Sequence, residues 1–62
     1  MKVKIKAYNE ELPIYLTVGK VYEVLESFND GVLVIQSDIN SIIHIGFDYC
    51  GHLNGGSWEI VK

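Results

Sequence analysis

The chain opens on a strict alternation, Lys2-Val3-Lys4-Ile5-Lys6-Ala7-Tyr8, in which charged and apolar side chains take turns. Successive side chains of a strand face opposite ways, so Val3, Ile5 and Ala7 share one face and the three lysines the other. This predicts a first strand over residues 2–8. Asn9-Glu10-Glu11-Leu12-Pro13 then breaks the pattern, and Pro13 has no amide hydrogen to give a ladder, so a loop is expected. Ile14-Tyr15-Leu16 reads as a short extended approach to a turn at Val18-Gly19-Lys20. Gly19 supplies backbone angles there that other residues disfavour. A second strand is predicted from Lys20 to Ser27, with Tyr22 and Val24 pointing inward.

Phe28-Asn29-Asp30-Gly31 carries the strongest hairpin signal, an Asp-Gly pair between apolar runs that suits a tight turn with positive φ. Val32 to Ser37 is apolar on both faces, as a central strand should be, and Asp38-Ile39-Asn40-Ser41 reads as a second turn. A fourth strand is expected over Ile42–Gly46 and a last one over Trp58–Val61. Phe47 to Gly56 is the longest irregular stretch. No segment of helical period is long enough to form a useful helix. The expected class is all-β: one domain over residues 1–62, five strands closing into a small barrel.

Sixty-two residues bury a thin core, and a lone cysteine leaves no internal disulfide to reinforce it. Eight acidic residues against five lysines and no arginine give a net charge of −3, the opposite of the basic surface that general nucleic-acid binding requires. The unpaired cysteine and the lack of a signal peptide point to a reducing, cytoplasmic setting. No apolar run approaches the length of a membrane span.

Candidate chemistry is sparse. His44, Asp48, Cys50 and His52 mix sulfur, nitrogen and oxygen donors, but structural zinc sites bring more than one cysteine, so no metal is expected. Cys50 and His52 would face the same way on an extended strand. A nucleophile also needs an orienting group and oxyanion donors, and none is evident, so no enzymatic activity and no cofactor are expected. Cys50 reads as a buried free thiol and Trp58 as core or barrel end-cap. Seven aromatics are too many for so small a core. Some of Tyr8, Tyr15, Phe28, Phe47 and Tyr49 must stay partly exposed, as lids or as anchors for a partner. The expected partner-binding residues are Tyr8, Tyr15, Phe47, Asp48, Tyr49 and His52. The scattered acidic residues read as a solvated surface rather than a mimic of phosphates.

Lys6-Ala7-Tyr8, a polar loop, and then Leu16-Thr17-Val18-Gly19-Lys20-Val21-Tyr22-Glu23-Val24-Leu25 resemble the first half of Src-homology-3-like barrels, with their long first loop and diverging turn. The run Leu-Thr-Val-Gly-Lys-Val-Tyr-Glu-Val, with His52-Leu53, the glycines after it and Trp58-Glu59-Ile60-Val61, also looks like very small barrel proteins encoded by bacteriophages. No tryptophan opens the third strand, where Val32 stands, and no Pro-x-x-Tyr precedes the last, so the resemblance does not carry over a proline-rich ligand. It implies a non-enzymatic accessory that binds a host protein and modulates or inhibits it. Two other expectations stand beside this: a nucleic-acid accessory using Lys2, Lys4 and Lys6, and a self-assembling protein whose edge strands pair into a homo-oligomer.

Overall fold

The computed structural model describes residues 1–62. Five strands form one antiparallel sheet: β1 (Lys2–Ala7), β2 (Tyr22–Ser27), β3 (Val32–Gln36), β4 (Ile42–Gly46) and β5 (Ser57–Val61). Their order is β4-β3-β2-β1-β5, so β1 lies inside the sheet and β4 and β5 are its rims. No helix is long and apolar enough to cross a membrane.

β2 is shared between two halves. Its start pairs with β1 (Lys2 opposite Glu23, Val3 opposite Tyr22), and its later part pairs with β3 (Val24 opposite Ile35, Ser27 opposite Leu33). A register shift between Val24 and Glu26 marks the bend between the halves, and local twist of this kind turns a flat sheet around its own contents. The β1–β5 ladder shifts likewise between Ile5 and Ala7. That irregularity turns Ala7 out to solvent, against the expectation that it joins Val3 and Ile5 inside.

The two halves enclose Val3, Ile5, Leu16, Tyr22, Leu33, Ile35, Ile45, Cys50, Leu53 and Trp58. Tyr22 meets Trp58 edge to face, 5.7 Å between ring centroids, the arrangement that aligns a ring's positive edge with its neighbour's negative face. The Trp58 indole N–H is buried without a hydrogen-bond partner. Val24 is half-buried against the same cluster, as expected.

The strands end close to where the alternation places them, with Lys20, Val21, Tyr8 and Ser37 left outside. The barrel is not closed. Between β4 and β5 there is no ladder, only the bond from Trp58 N–H to Phe47 O and the Cys50–Gly56 bridge. The reason lies in the connection, where a 3₁₀ turn over Gly51–Leu53 lifts the chain away before β5 begins.

Candidate functional site

Two polar clusters hold the long β1–β2 loop in place. At its start, the Asn9 amide N–H donates to Leu53 O (3.1 Å). The Asn9 side-chain amide donates to Asn54 O (3.1 Å), and the Asn54 amide returns a bond to Asn9 O (3.0 Å). Asn54 makes this exchange from the left-handed region (φ 56°), as the cap of the 3₁₀ turn. Asparagine tolerates that region better than other non-glycine residues.

At the other end of the loop, Asp38 in the β3–β4 turn collects three donors. Thr17 Oγ1 and Lys20 Nζ each lie 2.6 Å from its carboxylate and Tyr22 OH 3.0 Å. The Tyr22 hydroxyl also accepts from the Thr17 amide (2.8 Å), and the Asp38 amide donates to Tyr15 O (2.9 Å). The hydrogen bond from Lys20 is the main cause that holds the Asp38 carboxyl below its ordinary 3.8, with Thr17 adding to it. The same bond raises Lys20, while burial is the main cause that raises Tyr22. Both arms of the loop are therefore fixed to other parts of the chain before any ligand arrives.

Between these anchors lies an open cleft lined by Glu11, Pro13, Tyr15, His44, Gly51, His52 and Asn54. Tyr15 OH and His52 Nδ1 are 2.8 Å apart, and their rings meet edge to face. His44 also borders a neighbouring hollow with Phe28, Asn29, Asp30 and Val32. There its ring stacks on Phe28, 6.0 Å between centroids and 11° from parallel. The two hollows share His44, which makes one strip of rings, Tyr15–His52–His44–Phe28, with Glu11 lining the first hollow and Asp30 the second. None of the five lysines lines it.

Of the residues singled out in the sequence, Tyr15 and His52 come together and the rest spread out. Tyr8 lines a further groove with Glu10, Glu11, Leu12 and Ile14, which meets the cleft at Glu11. Phe47 packs half-buried against the core. Tyr49 is 76% exposed, with its ring edge beside Gly55, and Asp48 is exposed. The extended geometry expected for Cys50 and His52 gives way to the 3₁₀ turn: Cys50 is fully buried while His52 lines the cleft. No group of three or more His, Cys, Asp and Glu side chains converges at metal-binding geometry.

Phe28 and His44 complete the strip without being among the expected partner-binding residues, although Phe28 was among the aromatics expected to stay partly exposed. A usable signal existed in Phe28, an aromatic at the mouth of the best hairpin. Its alignment with His44 takes both ladders: the β2–β3 pairing continues to Phe28 N–H donating to Val32 O, and the β3–β4 register sets Val34 opposite His44.

No family model, curated protein or solved structure gives a significant match to this chain.

Proposed function

We propose that this protein is a non-enzymatic binding module that engages a protein partner through the Tyr15–His52–His44–Phe28 strip. The observation that carries the reading is that the strip is aromatic, with Phe28 and His44 exposed and Tyr15 and His52 half-buried, and is held on both sides by hydrogen-bonded anchors. Preformed surfaces bind without paying to order themselves, and aromatic side chains give contact area at little conformational cost. Glu11 and Asp30, with no lysine nearby, favour a segment of neutral to basic character.

The finer architecture belongs to the same proposal. A long first loop, a diverging turn at Val18-Gly19-Lys20, β1 between β2 and β5, and a 3₁₀ turn before β5 support a Src-homology-3-like arrangement. The resemblance to small bacteriophage-encoded barrels supports a host-cell protein as the partner and modulation, inhibition included, as the outcome. A cytoplasmic location follows from that reading.

Selection from a random peptide library on immobilised protein tests the binding mode. Enriched sequences should carry Lys or Arg beside apolar residues. Their addition should shift the amide resonances of Tyr15, His44 and His52. Phe28→Ala and His52→Ala should each weaken binding about tenfold or more, as removal of a central contact does. Resonance shifts confined to another face, or no enrichment at all, would remove the proposal.

A further inference from the structure

The β5 rim of the sheet is covered at its start by the Phe47 carbonyl and the Cys50–Gly56 bridge. The β4 rim is not: no backbone hydrogen bond from outside β3 reaches Ile42–Gly46. At the two ends of the β3–β4 ladder, Ser37 N–H donates to Ser41 O (2.8 Å) and Phe47 N–H to Gly31 O (2.9 Å). Antiparallel pairs alternate between bonded and non-bonded. With the register known, Ile35–Ile43 and Leu33–Ile45 are the bonded pairs between those ends. The N–H and C=O of Ile42, His44 and Gly46 therefore point away from the sheet. Tyr49 O crowds Gly46, standing where a Cβ would be, which leaves Ile42 and His44 open.

Sheet rims normally carry lysines, prolines or bulges that prevent pairing with another chain. This rim reads Ile42-Ile43-His44-Ile45-Gly46, with no charged residue of fixed sign and no proline. Its ladder is the longest unbroken one, whereas β1–β5 and β2–β3 both slip register. The three lysines of β1 are spent on a strand that already has two neighbours.

We propose that the β4 rim pairs with the same rim of a second copy, antiparallel about a two-fold axis at Ile43. In that register the open groups of Ile42 exchange hydrogen bonds with His44 of the second copy, and those of His44 with its Ile42. The two exposed residues thus find their complement in the identical segment, which is the condition for an isologous contact. No charge meets a like charge. The exposed Ile42 side chain lands beside an imidazole already steadied by Phe28. His44 belongs to both this rim and the aromatic strip, whereas Ile42 belongs to the rim alone, so Ile42 separates the two uses.

Sedimentation equilibrium on the full chain tests it. The contact is small, so a reversible dimer with a dissociation constant of roughly 0.1–1 mM is expected. Ile42→Lys should raise that constant about tenfold or more while leaving the circular-dichroism spectrum and melting temperature unchanged, because Ile42 is exposed. Ile42 is not among the residues lining the cleft, so peptide binding there should survive the substitution, and the two proposals fail separately. Hydrogen exchange at the Ile42 and His44 amides should slow as protein concentration rises. A chain that stays monomeric up to millimolar concentration, or a dimer indifferent to Ile42→Lys, overturns the proposal. So does exchange at the Ile42 amide that ignores protein concentration and slows only when another protein's segment is added.

Discussion

Asp38 is the residue on which most of the loop geometry converges, because one carboxylate joins the Thr17–Lys20 turn, the β3–β4 turn and the Tyr22 hydroxyl. Its charge pair with Lys20 is half in solvent, and such a pair contributes little by itself. The larger share comes from hydrogen bonds to a charged acceptor. A carboxyl held below its ordinary 3.8 stabilises the fold above that value, and the contribution is lost as pH falls through the lower folded one. Tyr22 and Lys20 are raised, so theirs is present below 10.0 and 10.5 and lost as pH rises past those values. Asp38→Asn should therefore lower the melting temperature at neutral pH, and the gap from the parent should narrow as pH falls below 3.8 and through the lowered folded value. Thermal melts over a pH series check both halves; a gap that persists in acid would show that charge is not the cause. Tyr22→Phe keeps the ring packed on Trp58 but removes the hydroxyl. It should cost about 1 kcal/mol, or about 4–8 °C for a domain this small.

At the level of elements, the two central hairpins use one device. Each closes with a residue in the left-handed region, Gly31 at φ 84° and Asn40 at φ 64°. The first was visible in the Asp-Gly pair; the second hid behind an asparagine that can adopt the same angles. Asn40→Ala should cost about 1–2 kcal/mol, and Asn40→Gly far less, by chemical denaturation. Gly56 serves a different purpose. A Cβ there would stand 2.1 Å from Ala7 O and 2.8 Å from Tyr8 Cα, both backbone atoms that cannot step aside. Gly56→Ala should cost about 3 kcal/mol or more and shift the amide resonances around Asn9 and Asn54. The strands were legible because a half-buried strand writes its two faces into alternate residues, as Val3, Ile5 and the lysines do. The cleft was not. Asn9 and Asn54 look like ordinary loop residues, and Tyr15 and His52 lie 37 positions apart. A buried Cys50 and a partner-facing His52 were both expected, but nothing local announces the 3₁₀ turn that sets them apart.

For the molecule as a whole, the placement of charge gives nucleic acid and basic peptides different surfaces to meet. Lys2 stands opposite Glu23 on one neighbouring strand, and Lys4 opposite Glu59 on the other. The lysine face of β1 is therefore flanked by carboxylates. A phosphate chain laid along it would meet negative as well as positive groups, and association with nucleic acid draws its strength from cations that displace counterions. The net charge of −3 adds a repulsion at longer range. The aromatic strip, by contrast, has an acid in each hollow, Glu11 and Asp30, and no lysine on its walls. These two facts predict opposite behaviour towards the two classes of ligand. Labelled single- and double-stranded DNA should show no anisotropy change with the protein even at low salt, where such contacts are strongest. Basic peptides chosen on the cleft should bind and lose affinity as salt rises, because rim charges set the attraction. Steeply salt-dependent DNA binding that Lys4→Ala or Lys6→Ala removes would shift the working surface from the cleft to β1.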